Sequence, residues 1–120
     1  MPVRVLLIDD NPLFLDAARG LLEREGFTVV GFASTAAEAL EVVADESPDV
    51  VLVDVDLGRE SGFDLAERLV KAPHNGPRPR IVLISSYAHQ DLADLIDASP
   101  AVGFVTKAEL SGSAIRRLLD

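Results

Sequence analysis

The run Val50-Val51-Leu52-Val53 constrains this chain more than any other stretch. Pro48 and Gly58 punctuate its surroundings, and the run itself stops at Asp54, with a second acid at Asp56. Four consecutive β-branched or leucine residues between turn-formers fit a short strand buried on both faces, as in a parallel sheet sandwiched by helices. Ligands of open α/β sheets bind at the carboxyl ends of strands. A carboxylate at the end of such an apolar strand needs a chemical reason, and Asp54 is the candidate chemical centre.

The rest of the chain supplies the partners of that strand. Val3 to Ile8, broken only by Arg4, is a second apolar run, and it ends in Asp9-Asp10. Asn11-Pro12 follows as an N-cap and a first-turn proline. Phe14, Ala17, Ala18, Leu21 and Leu22 then recur at helical spacing up to Gly26. Phe27 to Phe32 reads as strand two. Thr35 with Glu38, and later Ser61 with Asp64, have the form of capping boxes. The helices behind them show apolar faces of Ala36, Leu40, Val43 and Ala44, and of Phe63, Ala66, Leu69 and Val70. Ala72 to Pro79, with three prolines, is a loop. Arg80 to Ile84 is strand four, Leu92, Leu95 and Ile96 mark helix four, and Val102 to Val105 is strand five. Ser111 caps a last helix that turns Ala114, Ile115 and Leu118 inward. Strictly alternating strands and helices imply a (βα)5 parallel sheet with right-handed crossovers and helices on both faces.

Length and composition narrow the function. With 120 residues the expectation is one domain, 1–120, with no output domain in this chain. Eleven basic against twenty acidic residues, a net −9, argue against direct binding to nucleic acid or an anionic membrane. The absence of cysteine excludes disulfides, thiol catalysis and cysteine-ligated metal. No apolar run approaches the roughly 18 residues of a membrane span, and the first residues lack the organisation of a signal peptide. The expected location is cytoplasmic.

Four of the five strands end in a polar group: Asp9-Asp10, Asp54, Ser85 and Lys107. In a parallel sheet those ends share one edge, so residues about a hundred positions apart converge. Three crowded acids repel, and one lysine does not balance them. A divalent cation would, and an all-oxygen site offering one or two carboxylates suits Mg²⁺. The same group suits phosphoryl transfer to a carboxylate. Asp54 would be the nucleophile, Mg²⁺ on Asp10 and Asp54 and the Lys107 ammonium would offset phosphoryl charge, and Ser85 would hydrogen-bond an oxygen.

Five segments in order carry a family resemblance across essentially the whole chain. They are Leu-Leu-Ile-Asp9-Asp10-Asn-Pro-Leu-Phe, Val-Leu-Val-Asp54-Val-Asp-Leu, Gly62-Phe63-Asp64-Leu65, Ile-Val-Leu-Ile-Ser85-Ser86 and Gly103-Phe104-Val-Thr-Lys107. The sequence resembles the receiver domain of a bacterial two-component response regulator. The resemblance implies a flavodoxin-like fold with strand order 2-1-3-4-5. It implies phosphorylation of Asp54 by a histidine kinase or phosphotransfer protein. Mg²⁺ would be held by Asp10 and Asp54 directly, Asp9 through water, and the backbone carbonyl of Asp56. Ser85 would be the switch hydroxyl and Phe104 the switch aromatic, with Tyr87 beside them. Their movement would change the surface of helix four, strand five and helix five, about Tyr87 to Leu118. That surface would bind a downstream protein or an output domain, or form a phosphorylation-dependent homodimer. Two departures stand out: Gly58 replaces a common proline, and Ala108 replaces a common cis proline, so a trans bond is expected there.

Each residue also has an ordinary alternative. Asp9-Asp10 can serve as acids at a helix N-terminus, Ser85 as a turn residue, Lys107 as a solvated lysine and Phe104 as core. Tyr87 fits either an exposed contact or a modulator of phosphate lifetime. His74 and His89 are given no role. Two rival functions are a haloacid-dehalogenase-type phosphatase using Asp54 and Asp56, and a phosphorylation-independent binding module. The first normally carries its nucleophile on the first strand, and the second usually lacks an acid or the lysine, all of which are present here.

Overall fold

A computed structural model describes residues 2–73, 76–87 and 89–120, with the backbone alone at 89. The strands of the main sheet are β1 (Arg4–Ile8), β2 (Thr28–Ala33), β3 (Val50–Asp54), β4 (Arg80–Ser85) and β5 (Gly103–Thr106). They are parallel and run β2-β1-β3-β4-β5 across the sheet. The helices are α1 (Pro12–Arg24), α2 (Ala36–Glu46), α3 (Gly62–Lys71), α4 (Ala93–Ala98) and α5 (Gly112–Leu119). A short antiparallel ribbon, Asp56–Leu57 against Glu60–Ser61, lies between β3 and α3. Single 3-10 turns cover His89–Asp91 and Lys107–Glu109. This is the flavodoxin-like (βα)5 arrangement expected from the sequence.

The period-2 alternation of strand side chains divides the core in two. Leu6, Ile8, Val51, Val53, Ile81 and Leu83 face α2 and α3, with Ile96 of α4 in the same cluster. Val5, Leu7, Val50, Leu52, Val82 and Ile84 face the other way, onto α1 and α5. β3 is the central strand, covered by α2 and α3 on one face and α1 and α5 on the other, and every residue from Val50 to Asp54 is buried. That accounts for the unbroken apolar run.

The helix ends follow local chemistry. Asn11 Oδ1 accepts from the N–H groups of Leu13 and Phe14, at 3.0 and 3.4 Å, with Pro12 next in the first turn. At the other end Gly26 takes φ +93°, the N–H of Phe27 reaches Leu22 and that of Gly26 reaches Glu23. This is the Schellman pattern, and Phe27 packs with Leu22 in one cluster. The capping box of α2 is modified. The Thr35 hydroxyl accepts from the Glu38 N–H, and the Glu38 carboxylate accepts chiefly from the Ser34 N–H and hydroxyl, one residue before the cap.

Several helix faces differ from the sequence reading. In α1 the buried residues are Leu15, Ala18 and Leu22, while Ala17 is exposed. In α2 they are Ala36, Ala39 and Val43, with Ala44 exposed. In α3, Leu65 joins Ala66 and Leu69 inside, and Phe63 is half-buried. Apolar residues at adjacent positions define two faces a fraction of a turn apart, and docking on the sheet selects one. Leu95, one of the residues that mark helix four in the sequence, is 54% exposed. With α4 reduced to Ala93–Ala98, Ile96 is its only buried residue. Strand five begins one residue later than expected, at Gly103, leaving Val102 largely exposed. The peptide before Ala108 is trans, as expected. His74 and the His89 side chain lie outside the described residues.

Candidate functional site

The carboxyl ends of β1, β3, β4 and β5 line up by parallel register: Ile8 pairs with Val53, Asp54 with Ile84 and Ser85 with Thr106. The next residue after β1 is Asp9, the last of β3 is Asp54, the last of β4 is Ser85, and the next after β5 is Lys107. Asp9, Asp54 and Ser85 are the buried polar residues of the described chain. They sit at the edge where the core gives way to a pocket of about 260 Å³. Asp10, Asp54, Asp56, Ser85, Tyr87 and Lys107 line it, with Asn11 and Gly58 beside them.

Lys107 is the cation of this edge. Its Nζ stands 2.6 Å from Asp9 Oδ2 and 3.1 Å from Asp54 Oδ2. Burial alone would push this ammonium down, but hydrogen bonds and Coulomb attraction from Asp9 and Asp54 hold it above the usual lysine value. Asp54 is held above the ordinary carboxyl value. Burial is the main cause and the Asp9 charge adds to it, against the opposing pull of the Asp56 N–H and of Lys107. Asp9 Oδ1 accepts from the Asn11 N–H at 2.9 Å, whereas Oδ2 is buried and ion-paired with Lys107 but lacks a hydrogen bond of regular geometry. Asp10 is exposed at the pocket mouth. One carboxylate oxygen each from Asp9, Asp10 and Asp54 fall within 4.8 Å of one another, a group that could hold a metal ion. Three carboxylates with one nearby ammonium fit a hard divalent cation, which prefers oxygen ligands.

Backbone geometry sets the remaining members. Asp54 Oδ1 accepts from the Asp56 N–H at 3.1 Å, and Asp56 Oδ1 in turn accepts from Gly58 N–H at 3.2 Å. Gly58 has φ +71°, and a Cβ there would stand 3.3 Å from Asp10 Oδ2. The ribbon is clipped to the start of α2, where Glu60 accepts from the Ala36 N–H at 2.9 Å. Ser85 Oγ accepts from the Tyr87 N–H at 3.0 Å, a turn that leaves Tyr87 61% exposed. Phe104 is half-buried against the cluster under α2 and α3 and also borders a hollow of about 610 Å³ with Thr106, Ala114, Arg117 and Leu118.

The structure adds residues that sequence reading passed over. Gly62 opens α3 so close to β3 that a Cβ would lie 2.0 Å from the Asp54 carbonyl oxygen, and its N–H donates to Val55. The one available signal was Gly62 in a resembling motif without a stated reason. Phe14, read as part of the apolar face of α1, carries the Lys107 ammonium over its ring at 4.6 Å from the centroid. Its place in the first turn of α1, just after Asp9-Asp10 and the Asn11 cap, was the signal.

A five-stranded parallel sheet with acids, a hydroxyl and a lysine gathered at its carboxyl edge defines a class of α/β signalling domain. The chain belongs to the response regulator receiver domain family, whose model matches residues 5–118. Members of this family are signalling phosphoacceptors that work with histidine kinases or phosphotransfer proteins and with output domains. Among curated proteins, the sensory transduction protein LytT of Bacillus subtilis is 37% identical over 86 residues, covering 71% of this chain and 34% of its own. The chain spans half or less of the length of the curated relatives it matches. A two-component response regulator of the LuxR family from Aurantimonas superposes with TM-score 0.83 at 27% identity, covering 99% of this chain and 86% of that one. A response regulator from Burkholderia pseudomallei, solved with a phosphorylated aspartic acid, a calcium ion and citrate, superposes with TM-score 0.81 at 29% identity. There the coverage is 97% of this chain and 66% of that one. Among the described residues no helix is long and apolar enough to cross a membrane.

Proposed function

We propose that this chain is a single receiver domain in which Asp54 accepts a phosphoryl group from the phosphohistidine of a kinase or phosphotransfer protein. An Asp54 carboxylate oxygen forms the new O–P bond as the donor's P–N bond breaks, leaving an acyl phosphate. The observation that carries the reading is the Lys107 ammonium, held 3.1 Å from Asp54 Oδ2 at the rim of a pocket that also contains Asp10. There it can transfer a hydrogen bond from the carboxylate to an incoming phosphoryl oxygen without a large movement. The aspartyl-phosphate and calcium ion of the Burkholderia protein support the same assignment.

Asp10 and Asp54, with the Asp56 carbonyl, would hold Mg²⁺, and Asp9 would act through water. Bound there, the ion would offset charge on the phosphoryl oxygens. Ser85, buried at the end of β4, would donate its hydroxyl proton to one of those oxygens. Its shift opens room for Phe104, and the α4–β5–α5 surface changes with it. Assistance by Lys107 and Ser85 to the domain's own phosphorylation and dephosphorylation belongs to the same reading. The partners are a kinase or phosphotransfer protein and a downstream protein, an output domain or a second copy, acting in the cytoplasm. Direct nucleic-acid binding and membrane contact are not part of this reading, in keeping with the net charge of −9.

The test is intact-mass measurement after incubation with acetyl phosphate and Mg²⁺. One phosphoryl group per chain, labile to hydroxylamine, lost in Asp54→Asn and diminished by chelating the cation, is the expected result. A full adduct on Asp54→Asn would move the site elsewhere. Steady turnover of phosphate esters would mark a phosphatase.

A further inference from the structure

We infer that Phe14 is a positioning residue for Lys107, holding its ammonium between Asp9 and Asp54 so that it meets the phosphoryl group; this rests on the reading of Asp54 as phosphoacceptor. The ammonium is ion-paired with two carboxylates, 2.6 Å from Asp9 Oδ2 and 3.1 Å from Asp54 Oδ2. The Phe14 ring lies on a further side, its centroid 4.6 Å from Nζ, well inside the range of a cation–π contact. The Lys107 side chain is only 17% exposed, so ring and carboxylates together leave little room for water.

One turn of chain presents both the acid and the ring. The Asn11 N–H donates to Asp9 Oδ1, and the Asn11 side chain accepts from the N–H of Phe14. Asp9 and the start of α1 are thereby tied together, and both converge on Nζ. The chain on the Lys107 side is held more loosely. Lys107 opens a single 3-10 turn whose backbone contact, Leu110 N–H to the Lys107 carbonyl, is long at 3.4 Å, with the Thr106 hydroxyl donating to the exposed Glu109 carboxylate at 2.8 Å. The position of the ammonium therefore depends on what its tip touches. A ring face attracts a cation over a broad area, unlike a carboxylate oxygen. Lys107 can slide from Asp54 Oδ2 toward a new phosphoryl oxygen while staying over Phe14.

The experiment is a double-mutant cycle on the full chain, reading the rate of phosphorylation by acetyl phosphate at saturating Mg²⁺. Phe14→Leu should slow the reaction by about five-fold, the size expected for loss of a partly desolvated cation–π contact. Phe14→Tyr, which keeps the ring face, should stay within about two-fold of wild type. In a Lys107→Ala background Phe14→Leu should change nothing further. Equal slowing in both backgrounds would make Phe14 a packing residue and overturn the inference. Should Phe14→Leu unfold, Phe14→Met, closer in volume, takes its place in the cycle.

A second readout does not depend on phosphorylation. The ring current should shift the Lys107 ε-methylene protons upfield in the wild type and in Phe14→Tyr, but not in Phe14→Leu. A wild-type protein without that shift would refute the inference while leaving Asp54 as phosphoacceptor intact. A wild type that shows the shift but takes no phosphoryl group would instead defeat the phosphoacceptor reading, and the inference with it.

Discussion

At the scale of single residues, the site is a balance between burial and charge. Asp54 sits at the end of a buried strand beside Asp9, and its carboxyl is held above the ordinary 3.8 chiefly by burial. A folded carboxyl with a raised pKa binds its proton more tightly than the unfolded chain does. The stability this contributes is present below 3.8 and is lost as pH rises through the folded value. Lys107 acts in the opposite range: its raised pKa contributes stability that is fully present below 10.5 and is lost as pH climbs through the folded value. Denaturant unfolding without divalent cations, followed from acid to neutral pH, should show Asp54→Asn gaining on the wild type as pH rises above 3.8. A constant difference across that range would mean that Asp54 carries no such strain.

At the scale of elements, Asp54, the proposed phosphoacceptor, is placed by the junction of β3 with α3. Gly62 has no alternative there, since a Cβ would lie 2.0 Å from a backbone oxygen that cannot swing aside. Gly62→Ala should cost about 2–3 kcal/mol, as overpacking against rigid groups does, and should slow phosphorylation because the Asp54 carbonyl must move. Gly103→Ala is the contrast. Its added Cβ meets the far end of the Leu118 side chain, which can change rotamer, so the expected cost is under about 1 kcal/mol. Urea unfolding of the two variants compares them directly, and equal costs would refute the account. A second junction ties α1 to α5: Glu25 accepts from the Gly112 N–H, while Arg116 donates to the Glu25 carbonyl and lies over the Phe27 ring at 4.4 Å. The two helices on that face of the sheet are thus locked by polar contacts as well as by Leu22, Phe27 and Ile115 in one core cluster.

At the scale of the whole molecule, the carboxyl edge and the α4–β5–α5 surface are two ends of one proposed switch. Tyr87, Leu95 and Val102 are three of the large apolar side chains exposed among the described residues, and all flank that surface. A ligand shifts a two-state equilibrium only by its differential affinity, so phosphate must contact Ser85 and Lys107 better in the active state. Amide NMR with beryllofluoride, whose fluorines stand in for phosphoryl oxygens, should move resonances from Tyr87 to Leu118 as well as those near Asp10 and Asp54. Changes confined to the loops around the two aspartates would leave a phosphate site with no switch attached.

Much of this was legible in the chain itself, because the signals are local. An apolar run ending in Asp54, the cap at Asn11-Pro12 and the stop at Gly26 each depend on a few neighbours, and each appears where it was expected. Polar residues ending four apolar runs were enough to place Asp9, Asp10, Asp54, Ser85 and Lys107 along one edge, since parallel strands bring their ends together. What tertiary structure decided are matters of rotation and distance. Which of Leu15 and Ala17 faces the core, and why Leu95 lies outside, depends on how each helix settles on the sheet. That Lys107 reaches Asp9 more closely than Asp54 and that Phe14 lies beside the ammonium are contacts between segments far apart in sequence, and that a Gly62 side chain would strike the Asp54 backbone depends on how the intervening ribbon folds back. Local propensity carries no information about such contacts; only packing of the folded chain creates them.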